Sequence, residues 1–220
     1  MSKDSNQPHP AGTGRMRRPR GSLTPATILD AAEAVAADGF GALTIRAVAA
    51  RLGAVPMALY NHFGTKDELV DALLDRVLSR FEPEPATGDW VDDMRRFARA
   101  HRRLLVAHPW AVAPLFTRPN PGLSAVRIGE LALGILRRGG FSDAYAVAAF
   151  SGIIALNYGW SSFTSARDPA VDLGSALAAL PRTEYPLTVE VAGEMGAYGS
   201  DQHYDFVLDQ MLTGLRATAG

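Results

Sequence analysis

Two groups of residues have types and spacings that could do chemistry. His101 and His108 stand seven apart on one predicted helix, a pair that could share a metal ion, although no convincing third ligand accompanies them. Met57, Tyr60 and Asn61 lie on the outward side of a short helical segment that follows a glycine, Gly53. The chemistry open to that second group is recognition. A short helix held by a glycine turn can enter a DNA major groove, about 12 Å wide, while the helix before it crosses the backbone. Covalent catalysis has no foothold: there is no Gly-x-Ser-x-Gly elbow, no His-Glu-x-x-His pair, no phosphate-binding glycine loop and no cysteine. A helical metal-dependent enzyme is the weaker alternative, and an assay for bound metal separates it from a DNA reader.

The elements that must position the outward residues begin at Thr24-Pro25, an N-cap followed by proline at the first helical position. Ile28, Ala32, Val35 and Ala36 repeat at helical spacing, and Asp38-Gly39 closes the run. Thr44 caps a second helix whose Ile45, Val48, Ala49 and Leu52 form one apolar stripe ending at Gly53. A third helix is predicted from about Val55 to Phe63, with Ala58, Leu59, His62 and Phe63 packed inward. Thr65 to Glu68 reads as a capping box opening a fourth helix that reaches about Phe81.

Leu43 to Gly53, continued by Ala58-Leu59-Tyr60-Asn61-His62-Phe63-Gly64-Thr65-Lys66-Asp67-Glu68-Leu69, strongly resembles the DNA-binding head of the TetR family. Arg102 to Trp110 and Phe206 to Leu212 resemble, more loosely, the tetracycline-repressor-like ligand domain. The resemblance implies an all-α protein and a homodimeric repressor that leaves a palindromic operator when a small, largely apolar effector binds. It implies phosphate contacts from Thr44, Tyr60, His62 and Lys66, a base contact from Arg46, and a groove-reading face made of Pro56, Met57 and Asn61. That face carries no arginine or glutamine and Met57 offers apolar contact only, for example to a thymine methyl, so base specificity is expected to rest largely on Arg46 and Asn61. In the alternative, His62 simply packs against the fourth helix. A histidine at the place of His108 helps hold a metal–drug complex in tetracycline-responsive relatives, but Pro109-Trp110 follows it here, unlike those relatives. No cofactor is expected.

Beyond the head, Asp89 caps a helix reaching His108, and prolines break the chain between Pro114 and Gly122. Leu123 to Arg138 is helical, Ser142 opens a long helix stopped by Asp168-Pro169, Asp168 to Ser200 reads as mostly loop, and Asp201 caps a final helix. The expected organisation is a disordered basic arm over 1–22, a helix-turn-helix domain over 23–69 and an effector-binding and dimerisation domain over 70–217. Ala144, Ala148, Gly152, Ala155 and Gly159 form a stripe of small residues, and Tyr204, Val207, Leu208, Met211, Leu212 and Leu215 an apolar one. The family's dimers pack these two helices against their mates. Large side chains at Trp110, Phe116, Phe150, Tyr158 and Phe163, with His108 and Asn157 as polar anchors, are the expected ligand-binding set.

Composition is compatible with this reading. Residues 1–70 carry a net +2 and the remaining 150 a net −3 within an overall charge of −1. Arg15, Arg17, Arg18 and Arg20 could track phosphates or enter a minor groove. The uncharged run from Ala144 to Ala166 is long enough to be tested as a membrane span, but its serines, Asn157 and Thr164 interrupt it. No membrane partner is expected. The absence of cysteine suits a reducing cytoplasm. A DNA-binding regulator with no small-molecule sensor remains the main alternative, distinguished by a body without a cavity.

Overall fold

A computed structural model describes residues 23–118, 122–166 and 171–218, so the basic arm and Asp168-Pro169 lie outside the described residues. Twelve α-helices and one short 3-10 turn make up the regular structure of the described residues, an all-α fold.

The head is α1 (Pro25–Ala36), α2 (Ile45–Leu52) and α3 (Pro56–Tyr60). Each start has a local chemical cause. Thr24 accepts at Oγ1 from the Thr27 amide (3.2 Å) while Thr27 Oγ1 accepts from the Thr24 amide (2.9 Å), and Thr44 Oγ1 accepts from the Ala47 amide (3.0 Å). Gly53 ends α2 with φ of 64°, a left-handed conformation that costs glycine little. Ile28, Ala32, Val48, Ala49, Leu52, Leu59 and Phe63 then close a shared core. Burial of each large side chain is worth roughly 1.5–3 kcal/mol.

The third helix is shorter than its pattern suggested. It stops at Tyr60, and Asn61 and His62 lie in the following turn. His62, expected to pack beside Ala58, Leu59 and Phe63, is exposed; leaving the helix one residue after Tyr60 swings the imidazole outward while Phe63 fills the core. Thr65 Oγ1 caps α4 (Lys66–Leu78) through the Glu68 amide (3.0 Å). Glu68 returns the bond one residue earlier than a standard capping box, to the Gly64 amide (2.8 Å).

The body is built on α5 (Trp90–Ala107), α6 (Pro109–Thr117), α7 (Leu123–Arg138) and α8 (Asp143–Ala166), with α8 packed against the other three. Pro114 does not break the chain as expected but sits inside α6. Its ring forfeits one helical hydrogen bond, and burial of Ala111, Val112, Pro114 and Leu115 offsets the loss. The predicted loop up to Ser200 contains three short helices, α9 (Leu173–Ala178), α10 (Pro186–Glu190) and α11 (Ala192–Gly196). Runs of five or six residues are too short to stand alone or to show a period, and these three pack on one another. The last helix, α12 (Asp201–Thr218), lies on α5 and α8. Its cap is Ser200, whose Oγ accepts from the His203 amide (3.3 Å), one residue before the expected Asp201. Among the described residues, no helix is long and apolar enough to cross a membrane.

Candidate nucleic-acid interface and its linkage to the body

The amphipathic helices of the head sort their residues cleanly. Ile45, Val48, Ala49, Leu52 and Leu59 are buried, whereas Thr44, Arg46, Pro56, Met57, Tyr60, Asn61, His62 and Lys66 are all exposed. All eight candidate DNA-contacting residues therefore face solvent on α2, α3, the following turn and the first residue of α4. Thr44 uses its oxygen as the α2 cap, which leaves the hydroxyl proton to donate outward. Lys66 opens α4, where its ammonium adds to the positive end of the helix dipole, an arrangement suited to phosphate.

α4 connects this surface to the rest of the molecule through two rows of charge. One row is acidic, at every fourth residue: Asp67 and Asp71 pair with Arg118 after α6 (3.2 and 2.9 Å), and Asp75 Oδ1 accepts from the Ser124 amide (2.8 Å). The residue ahead of α7 is Gly122, which has no side chain to cap it, so Asp75 does so from the neighbouring helix. A Cβ at Gly122 would fall 2.4 Å from that carboxylate oxygen, which is why glycine fits there. The other row is basic. Arg76 pairs with Asp30 (2.5 Å), and Arg80 forks onto Glu33 (2.5 and 2.7 Å), both partners on α1. The Arg80 hydrogen bond, opposed by partial burial, holds the Glu33 carboxyl below its ordinary range.

His108 completes that joint. Nδ1 donates to the Leu104 carbonyl (2.9 Å) and Nε2 accepts from Arg80 (2.7 Å), since a carbonyl can only accept and a guanidinium only donate. Both ring nitrogens are thus occupied within the protein. His108 and Trp110 line a cleft of about 470 Å³ shared with Asp30, Glu33 and Ala34 of α1 and with Ala37 just after it.

Inside the body, Asn157 is fully buried and joins three helices. Its amide nitrogen donates to the Ala98 carbonyl (3.0 Å) and lies 3.1 Å from His101 Nδ1, and its oxygen accepts from the Tyr204 hydroxyl (2.6 Å). Burial pushes the His101 imidazole down to about 4, so it is neutral at pH 7. Along the surface above this network, Arg95, Arg99 and Arg102 of α5 pair with Asp209, Asp205 and Asp201 of α12 (2.7, 2.9 and 2.6 Å).

Comparison with known proteins now decides the family. The model of bacterial regulatory proteins of the tetR family matches residues 28–73, and the tetracyclin repressor-like C-terminal domain matches 82–219. An HTH-type transcriptional regulator of Saccharopolyspora erythraea is 34% identical, covering 94% of this chain and 90% of that protein. The chain belongs to the TetR family. It is a helix-turn-helix transcriptional regulator. The HTH-type transcriptional repressor DrrR1 of Streptomyces coeruleorubidus is 31% identical, over 92% of this chain and 82% of its own. Apo ActR from Streptomyces coelicolor superposes with a TM-score of 0.80 at 30% identity, covering 90% of this chain and 97% of its own; ActR has also been solved in complex with actinorhodin.

Within this TetR-family body, the expected ligand-binding residues do not form one group. Phe116 meets Tyr158 edge-on at 5.7 Å, and Tyr158 meets His101 at 5.8 Å, beside Asn157. Phe163 sits apart against Trp160 and Tyr198, Phe150 approaches Gly129 of α7, and His108 and Trp110 face the head. A second cleft, of about 360 Å³, opens between the end of α4 and α7 and is lined by Leu78, Phe81, Pro83, Arg127, Ile128 and Leu131 among others. None of the expected residues lines it. Its walls come from the end of α4, the chain following it and α7, segments distant in sequence, so no local pattern marks them. Val55 and Arg51 are also exposed beside the eight head residues. The uninterrupted apolar run from Ala54 to Leu59, longer than so short a helix can bury, was the available signal for Val55.

Proposed function

We propose that this TetR-family regulator is a repressor that binds a palindromic operator as a homodimer and is released by a small, largely apolar effector. The observation that carries the reading is α4, whose first turn presents Lys66 among the eight exposed head residues while its last turns reach the 360 Å³ cleft. A ligand between Leu78, Phe81, Ile128 and Leu131 would press on α4 and on the α7 start that Asp75 caps. Arg127 at the rim suits a carbonyl or acidic oxygen on the effector. ActR in its complex with actinorhodin supports a small-molecule effector of this general kind.

Release requires that the effector favour one arrangement of the heads over another, with α4 as the lever. The dimer faces are α8 and α12. Ala144, Ala148, Ala155 and Gly159 are exposed, as are Phe206 and Val207, an apolar surface suited to close helix contact. A dimer would set two recognition helices about 34 Å apart. Residues 23–69 act as the reading unit and 70–217 as the sensing and dimerising unit, with the boundary inside α4. Such a protein works as a soluble cytoplasmic binder and not as an enzyme.

The test is selection of genomic DNA fragments by the purified protein, repeated with Arg46→Ala and Tyr60→Ala. Enrichment of a short palindrome that both variants lose is the expected result. No enrichment, or variants that behave like the wild type, would sink the reading. A regulator without a sensor would bind the palindrome yet show no thermal shift with any apolar acid or ketone.

A further inference from the structure

The surface that faces the operator carries an unusual chemistry. From Ala54 to Leu59, six consecutive side chains carry no nitrogen or oxygen and offer at most the weakly accepting sulfur of Met57, and Pro56 lacks even a backbone N–H. Only Leu59 is buried, with Ala54 and Ala58 partly covered. Val55 is 66% exposed and Met57 71%, although the head core is already closed by Leu52, Leu59 and Phe63. Packing therefore gives no reason for two large apolar side chains at this tip. The same head also exposes cations at Arg46, Arg51 and Lys66. An exposed apolar tip on a head that also exposes cations complements a groove whose rims are phosphate and whose floor offers one apolar group, the C5-methyl of thymine.

We infer that Val55 and Met57 select operator bases by their C5-methyl groups, so that this protein reads the methyl rather than the hydrogen-bonding edge of the pyrimidine. The inference rests on the operator-binding reading above and names the base chemistry recognised. It has a consequence that hydrogen-bond readout lacks. Thymine and 5-methylcytosine present a methyl at the same place in the major groove, whereas uracil and cytosine present none. Cytosine methylation at a contacted position would then create a site that the unmodified base does not provide.

The test uses the full-length protein and the palindrome enriched from genomic DNA, with single thymines replaced in synthetic duplexes. Burying one methyl corresponds to about fourfold in affinity. Uracil at a contacted thymine is expected to weaken binding about fourfold per half-site. Cytosine, which also changes the base pair, weakens it further, and 5-methylcytosine recovers the roughly fourfold share that belongs to the methyl. In Val55→Ala and Met57→Ala, both fully able to fold because the side chains are exposed, the wild-type difference between thymine and uracil should shrink at distinct positions. Uracil without effect at every position overturns the inference while leaving the regulator reading intact. Failure to enrich any sequence overturns both. A Met57→Ala protein that changes its oligomeric state but keeps its thymine preference would show that the tip contacts another copy of the chain, and that also overturns the proposal.

Discussion

α4 and α12 are both strapped to the molecule by rows of ion pairs four residues apart, yet what lies beneath the straps differs. Under α12 there is a buried polar knot, where Asn157 holds Tyr204, His101 and the Ala98 carbonyl at once. Under α4 the contact is wholly apolar, through Leu69, Val70, Leu73, Leu74, Val77 and Leu78. Apolar contact is non-directional and tolerates a shift, while a buried hydrogen-bond network is satisfied in one register only. The molecule thus places its directional chemistry where two subunits are proposed to meet and keeps the head on a joint that can be re-set.

The comparison breaks most severely at Asn157. Asn157→Ala strands the buried Tyr204 hydroxyl and leaves a void, and we expect about 3 kcal/mol of lost stability in urea unfolding at fixed protein concentration. A loss below about 1 kcal/mol would mean that the knot does not specify the α12 register. His101 gives the same region a pH signature. The folded protein refuses its proton until about pH 4, whereas the unfolded chain accepts one near 6.5. Stability should therefore fall as pH drops from 6.5 toward 4, by roughly 3 kcal/mol over that window, and His101→Leu should remove about one proton from the slope.

The α4 joint should respond in the opposite way, with small effects on stability and larger ones on function. Glu33→Gln breaks the Arg80 fork at a partly exposed site, so unfolding should change by about 1 kcal/mol or less. Operator affinity and its response to effector should nevertheless shift several-fold, measured by fluorescence anisotropy. Glu33 ionises below its ordinary range because of Arg80, so its contribution is present above about pH 4.5 and is lost as pH falls through the folded value. If Glu33→Gln destabilises as strongly as Asn157→Ala, the contrast between the two joints is wrong. The smallest effect is expected for one rung above the knot: a double-mutant cycle on Arg99 and Asp205, both partly exposed, should give about 0.5 kcal/mol and fade with salt.

The head was legible in the linear chain because its instructions are local. Thr24, Thr44 and Thr65 each reach an amide three residues away, and Gly53 supplies its own left-handed turn. The misreadings fall where distant packing outweighed a local rule. Pro114 remains helical because its neighbours bury against α8, and α9 to α11 persist because they cover one another. The partner of His108 Nε2 was likewise beyond local reading, because it is Arg80, 28 residues earlier.

What the chain determined by itself is therefore the helical class, the helix-turn-helix and which head residues face outward, since caps and 3.6-residue periodicity act within one or two turns. What only the tertiary structure decided is how α4 grips α1 with arginines and the body with aspartates, where the clefts open, and that Asn157 sits at the meeting of three helices. Those outcomes depend on groups far apart in the sequence, such as Asn157 and Ala98, 59 residues apart, brought together by burial of a common apolar core. A residue's chemical type is written in the sequence, but the partner that satisfies it is chosen by the packing.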